Sequence, residues 1–345
     1  MPSSILMKQP VRFGVIGINH GHIYGQIGHM LTGGAEFAAW FAPEPDLAAA
    51  FADRFDSIPM AFGEEEILED ESIHVILSAS VPSERAPLGI RAMRHGKDFM
   101  ADKPGITSLE ALAEVRRVQA QTGRIFSICY SEHYDSSCTV RAGKLVQAGA
   151  IGKVVQTLGL GPHRANVSGR PDWFFRKAHY GGILTDIGSH QVEQFLFFTD
   201  STTAEVVSSS VANYRYPEFP ELEDFGEMTL RGDGGHGYVR VDWYTPEGLS
   251  TWGDGRLTIL GTEGYIELRK YVDVARDRQG GHLFLVDHRT EQYIDCTDEP
   301  LTFGHSFVTD VVNRTETHAP QWRTFLAMEL ALIAEEEALR AGNLR

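Results

Sequence analysis

The first 130 residues alternate short apolar runs with helical spacing, and few architectures accommodate that alternation. The stretch 11–18, VRFGVIGI, reads as a buried strand running into a glycine turn, and helical spacing follows through Ile23, Ile27, Met30 and Leu31. The pattern then repeats as strand 36–41, helix 46–55, strand 73–79, helix 83–95, strand 98–101, helix 108–122 and strand 125–130. Strands alternating with helices predict a parallel sheet with helices on both faces. A strand, a glycine turn and a helix at its start predict the first unit of a dinucleotide-binding fold.

Beyond Ser131 the texture changes. A helix over 137–148 ends at Gly149, and strands follow at 153–161, 206–214, 225–231, 237–244, 256–260, 265–269 and 282–287 with few helices between them. Mostly sequential strands predict a largely antiparallel sheet. The fold class is therefore α/β: an N-terminal Rossmann-type dinucleotide-binding domain over residues 1–131, then an α+β domain over 132–345 with a large, open-faced sheet. An open sheet has a face to cover, which predicts a homodimer or homotetramer. A helix over 326–339 closes the chain, and its Glu335-Glu336-Glu337 run is expected to be a solvated face.

Length and composition set outer limits. The 345 residues suit two domains, and 42% hydrophobic with 23% charged residues is ordinary for a globular protein. The formal charge is −16 with no Lys/Arg-rich run, which argues against nucleic acid and anionic membranes as partners. Cys129, Cys138 and Cys296 form no Cys-x-x-Cys pair, so neither a disulfide framework nor a cysteine zinc site is expected. No apolar run is long enough to span a bilayer, and residues 1–10 lack the apolar core and cleavage site of a signal peptide. A cytoplasmic location is the expectation.

Chemistry is concentrated in residues 181–193, GGILTDIGSHQVE. Two glycines bring the backbone close to a partner, and an acid and an imidazole follow four residues apart. In a regular helix over 184–197, Asp186 and His190 share one face, while Ile187, Val192, Phe195 and Leu196 are available for burial. A carboxylate beside an imidazole fixes its tautomer and raises its basicity, which suits a general acid or base.

A second informative stretch is 96–104, GKDFMADKP. A strand ending in acid-Lys-Pro, followed some eighty residues later by Gly-Gly…Asp-x-Gly-x-His, resembles the glucose–fructose oxidoreductase/inositol dehydrogenase family (Gfo/Idh/MocA). The runs GAIGKV at 149–154 and ILGTEG at 259–264 agree with it, in the right order along nearly the whole chain. The resemblance implies an NAD(P)-dependent oxidoreductase moving hydride between nicotinamide and a secondary hydroxyl or ketone of a sugar, polyol or hydroxylated, possibly carboxylated, ring. It implies Lys103 beside the nicotinamide, with Asp186 and His190 of the later helix facing it across the domain cleft. A lysine at a strand's C-terminal end, partly desolvated and near a cationic ring, is a candidate base for a hydroxyl proton.

The chain departs from that family's pattern at several positions. In place of Gly-x-Gly-x-x-Gly or Ala it reads Gly17-Ile18-Asn19-His20-Gly21-His22. Ala42 stands where an acid is expected to hold the adenine ribose, with Glu44 two residues on. Arg85 replaces a more usual histidine, and Asp102 a glutamate. The expected cofactor set is Gly17, Asn19, His20, Gly21, His22, Glu44, Ser80 and Lys103. NAD is favoured over NADP because no cation stands near Glu44 to accept a 2′-phosphate. His133, His163, Trp173, Arg176 and His179 form the expected substrate set, a polar, partly cationic pocket with an aromatic platform. No bound metal is expected. The competing possibilities are a metal-assisted or non-redox lyase, isomerase or hydrolase, using Asp186, His190, His163, His179 and His133, and a non-catalytic ligand sensor.

Overall fold

The computed structural model describes residues 10–276 and 278–342, so the expectation for the first nine residues lies outside the described residues. Two compact units divide the chain, one from residues up to 129 together with 302–325, the other from 130–301 together with residues from 326 on.

The first unit runs β1 (Arg12–Ile16), α1 (Ile23–Thr32), β2 (Glu36–Phe41), α2 (Pro45–Arg54), α3 (Glu64–Glu69), β3 (Val75–Ser78), α4 (Pro82–Arg94), β4 (Asp98–Asp102), α5 (Leu109–Thr122) and β5 (Phe126–Cys129). Its strands pair in the order β2-β1-β3-β4-β5, every pair parallel. Every residue of β3, β4 and β5 is buried, as expected for a parallel sheet covered on both faces. Local signals set the helix ends. Ser108 Oγ accepts from the Ala111 N–H at 3.1 Å, and α5 stops at Gly123 in the left-handed conformation. Strand order reverses between β1 and β3, and such a reversal opens a ligand crevice at the strands' C-terminal ends.

Residues 302–325 pack with this first unit, whereas the sequence pattern assigned them to the second domain. The helix Phe303–Asn313 lies so close to α1 that a Cβ on Gly304 would meet the His29 carbonyl oxygen at 2.1 Å. Arg314 then donates from Nη2 to Asp98 Oδ1 at 3.0 Å and to the Gly123 carbonyl at 2.7 Å.

The second unit contains α6 (Ser131–Tyr134), α7 (Ser137–Gln147), β6 (Val154–Pro162), α8 (Lys177–Tyr180) and α9 (Ser189–Thr199). The strands β7 (Ala204–Ala212), β8 (Phe225–Gly232), β9 (His236–Asp242), β10 (Arg256–Gly261), β11 (Gly264–Arg269), β12 (His282–Asp287) and β13 (Glu291–Asp295) follow. They form one eight-stranded sheet, ordered β13-β12-β11-β10-β6-β9-β8-β7. Only β6 and β9 pair in parallel; the other neighbours are antiparallel. One face is buried through Leu257, Ile259, Ile266, Leu268 and Leu283 against Cys138, Ala142 and Phe198 of α7 and α9. The other face exposes Leu158, Leu260 and Tyr265, the last two directly opposite each other.

Two expectations for this unit need correction. The helix predicted over 184–197 opens with a π-helical turn, Leu184–Gly188, before α9 begins, so Asp186 and His190 do not sit on one regular α-helix. Glu335 is buried rather than solvated, although Glu337 of the same acidic run is exposed. No helix among the described residues is long and apolar enough to cross a membrane. Cys129, Cys138 and Cys296 are all buried.

Candidate active site

In the first unit, the loop after β1 is shaped by one glycine. Gly17 has φ +81°, and a Cβ there would come within 2.5 Å of Ser80 Cβ, so the β1 and β3 loops approach closely only because the side chain is absent. The His20 N–H donates to the Ala79 carbonyl at 3.0 Å and holds the turn. Gly21 has open space around it, so its role is not steric. Asn19 Nδ2 donates to Glu44 Oε1 at 2.7 Å, which brings the departure in the loop onto the departure after β2. A groove of about 330 Å³ lies over this point, lined by Gly17, Asn19, Glu44, Ser80 and Arg91 among others. Glu44 Oε2 is buried in it without a hydrogen-bond donor among the described residues. A Cβ-free cradle and an uncommitted carboxylate oxygen are what a dinucleotide's phosphates and ribose hydroxyls need.

At the C-terminal end of β4, Asp102 is the hub of a charged cluster. Arg85 Nη2 lies 3.2 Å from its Oδ2, and the Lys103 backbone N–H donates to Oδ1 at 2.7 Å. Burial alone would raise the Asp102 carboxyl, but His22, Arg85 and His20 together hold it well below the usual carboxylate range. An ionised carboxylate only accepts, so His22 donates from Nδ1 to Oδ1 at 2.9 Å. His20 plays a different part. Desolvation, then the charge on His22, push its imidazole well down, and its Nδ1 accepts the His22 backbone N–H at 3.3 Å. Ligand atoms of His20, His22 and Asp102 lie within 4.8 Å of one another, close enough to share an ion. The Arg85 guanidinium lies beside the same carboxylate, and its charge opposes a second cation there. Lys103 itself is buried, at 6% exposure, in the turn that follows β4.

The double glycine of the second unit has a specific partner. Gly182 has φ +101°, and a Cβ on it would meet the Glu335 carboxylate at 2.2 Å. Glu335 Oε2 accepts the Leu184 N–H at 3.0 Å, and Glu223 Oε2 accepts the Ile183 N–H at 2.9 Å. Two acidic side chains thus satisfy backbone donors at the start of the π turn, and Lys177 Nζ bridges both. Asp186 and His190 follow, both buried, with the Tyr130 ring edge-on to the imidazole at 5.8 Å. Ile187, Val192, Phe195 and Leu196 are fully buried, as the spacing predicts.

The expected substrate residues lie in different surroundings within the second unit. His163 follows β6, half-buried between the Trp243 and Trp252 rings. His133 is buried, and its Nδ1 lies 2.8 Å from Glu193 Oε2 beside the Phe197 ring. Trp173 is half-buried against Phe174, while Arg176 and His179 are exposed, Arg176 pairing with Glu221 at 3.0 Å. Sequence patterning missed Glu132, Gln191, Gln194 and Lys270, which form a buried polar cluster beside His190. Polar residues inside an otherwise apolar helix were the available signal for Gln191 and Gln194. None pointed to Lys270.

Residues 11–130 match the oxidoreductase family with an NAD-binding Rossmann fold, and residues 139–267 match the Gfo/Idh/MocA C-terminal domain. A solved structure from Erwinia carotovora atroseptica SCRI1043, called a presumed oxidoreductase, is 47% identical over 95% of this chain and 98% of its own, with a TM-score of 0.92. The chain belongs to the Gfo/Idh/MocA family. It is 28% identical over 131 residues to the D-xylose dehydrogenase of Paenarthrobacter nicotinovorans, covering 36% of this chain and 34% of that one. It is also 28% identical over 206 residues to the levoglucosan dehydrogenase of Pseudarthrobacter phenanthrenivorans, covering 57% of this chain and 51% of that one. The matched stretches therefore span a third to a half of those curated relatives' lengths.

Proposed function

We propose that this protein is an NAD(H)-dependent dehydrogenase acting on a secondary hydroxyl of a sugar, polyol or hydroxylated, possibly carboxylated, ring. The observation that carries it is the Gly17–Ser80 approach at the strand-order reversal, with Lys103 directly after the neighbouring β4. Two sugar dehydrogenases among the relatives, one named for an aldose and one for an anhydrosugar, agree in substrate class.

The cofactor would be held by Gly17, Asn19, His20, Gly21, His22, Glu44, Ser80 and Lys103, and when bound it supplies a nicotinamide that accepts hydride from the alcohol carbon. His22, oriented by Asp102, presents its other ring nitrogen as a donor to pyrophosphate when protonated. Glu44 receives ribose hydroxyls and repels a 2′-phosphate; Arg91, the cation lining the same groove, is committed to Glu64. Lys103 and His190 share the hydroxyl proton, and Asp186 grips a substrate hydroxyl or orients the imidazole. His133, His163, Trp173, Arg176 and His179 remain the substrate-side residues, with His163 between its two tryptophans the best placed to stack on a sugar. The exposed Leu158, Leu260 and Tyr265 support a homodimer or homotetramer through the open sheet face, and a cytoplasmic location remains the expectation.

The test is to incubate purified protein with NAD and a panel of aldoses, anhydrosugars, polyols and sugar acids, reading reduced nicotinamide at 340 nm. Turnover on at least one member is expected. No NADH binding and no turnover on any member would overturn the assignment.

A further inference from the structure

The second unit buries an ion pair that none of the roles above uses. Glu132 lies in α6 and Lys270 directly after β11, 138 residues apart, and both are buried. Glu132 Oε2 accepts from Lys270 Nζ at 3.0 Å and from Gln191 Nε2 at 2.7 Å. Lys270 Nζ also donates to Gln194 Oε1 at 2.7 Å, and Gln194 Nε2 donates to the His190 carbonyl at 2.9 Å. The pair therefore grips the helix turn that carries His190, through the residue after it and the residue four further on. Glu132 Oε1 is buried and accepts no hydrogen bond from any described residue, so half of the carboxylate is not committed to the scaffold.

A buried ion pair stabilises a fold no better than apolar side chains of similar volume, so stability alone is a weak reason for this one. Its surroundings supply another. Burial would raise the Glu132 carboxyl, yet the charges of Lys270, then His190, then His163 hold it down to about 2. Coulombic attraction is mutual: a carboxylate favoured by a protonated His190 favours that protonated imidazole equally. Within this unit, Tyr130 lies at ring-edge distance from His190, Asp186 precedes it on its own segment, His163 after β6 adds its charge to that of His190 on Glu132, and His133 pairs with Glu193. Asp186 is attracted in turn to Arg170.

We propose that Glu132 is a positioning residue for His190, a fixed buried carboxylate that stabilises the imidazolium formed when His190 takes a proton, and that Lys270 holds it in place. This rests on the proton-transfer role assigned to His190 above.

The experiment is NMR titration of the histidine imidazoles in the full chain, with the His190 signal assigned by its loss in His190→Asn. Glu132→Gln leaves the Lys270 ammonium unbalanced, so the His190 midpoint should fall by about one pH unit or more. Lys270→Met leaves the carboxylate unbalanced, so it should move the opposite way. Opposite signs from the two halves of one pair are not produced by a merely structural role. The acid limb of the kcat/KM profile for alcohol oxidation should follow, downward in Glu132→Gln and upward in Lys270→Met. Should either variant fail to fold, the wild type decides: a ¹³C-labelled Glu132 carboxyl should show an inflection at the His190 midpoint that vanishes in His190→Asn. An unmoved His190 midpoint in folded variants, or a flat Glu132 signal, overturns the inference whatever the activity. Moved midpoints with an unmoved kcat/KM profile uphold the positioning and instead remove His190 from proton transfer.

Discussion

His22 donates from Nδ1 to Asp102 Oδ1 at 2.9 Å, joining the residue before α1 to the last residue of β4 across 80 positions of sequence. That bond bears on the role proposed for the unusual loop. A histidine that merely obstructed a phosphate would have no need of a buried carboxylate to fix its ring. His22→Ala is therefore expected to leave the fold intact and weaken NADH binding by about 1–3 kcal/mol, roughly 5- to 150-fold, as loss of a charge-assisted hydrogen bond does. Fluorescence titration with NADH checks it, and tighter binding would assign His22 to obstruction instead.

Glu44 should set nucleotide preference. One of its carboxylate oxygens is held by Asn19 and the other is buried without a donor among the described residues, so the proposed role is to receive ribose hydroxyls and disfavour a 2′-phosphate. The wild type should bind NADH more tightly than NADPH, and Glu44→Gln should narrow the difference. Equal affinities in the wild type would remove Glu44 from the ribose site.

Glu335 should make the second unit's stability fall with rising pH. Burial, then the neighbouring Glu223, push its carboxyl up to about 8, against an ordinary glutamate value of 4.5. A carboxyl raised in the folded state binds more protons folded than unfolded. Its stabilisation is thus complete below the unfolded value and is lost as pH climbs towards the folded one. Urea unfolding should show a loss on the order of 1–3 kcal/mol between pH 5 and pH 8 that is smaller in Glu335→Gln. An identical pH dependence in wild type and variant would contradict this.

Gly182→Ala should be severely destabilising. The φ of +101° is strained for alanine, and the new Cβ would meet the Glu335 carboxylate at 2.2 Å. A loss of about 3 kcal/mol or more is expected by thermal or chemical unfolding, from steric clash added to strain.

Much of this architecture was legible in the sequence for a physical reason. Parallel strands buried on both faces carry near-continuous apolar runs, so the cores of β3 (75–77) and β4 (99–101) stand out between amphipathic helices. Gly17 was legible because a positive φ beside Ser80 admits little else. The return of Phe303 and Gly304 to α1 was not, because it depends on a fit to the His29 backbone that no local pattern encodes. Glu335 sat in an acidic run, and a three-residue helical stretch does not reveal which member faces inward. The Glu132–Lys270 pair was hidden for the same reason that makes it informative: its halves lie 138 residues apart and meet only in the folded unit.

The most direct test of the proposed chemistry compares turnover in wild type, Lys103→Met and His190→Ala, with and without chelator, as reduced nicotinamide appearing at 340 nm. A general acid or base contributes about 10²- to 10⁴-fold, so each variant should lose turnover on that scale. His190→Ala should retain NADH affinity, and the wild type should be indifferent to chelator. Turnover abolished by chelator, no nicotinamide signal and a near-normal Lys103→Met would contradict the account and favour metal-assisted chemistry on the same fold.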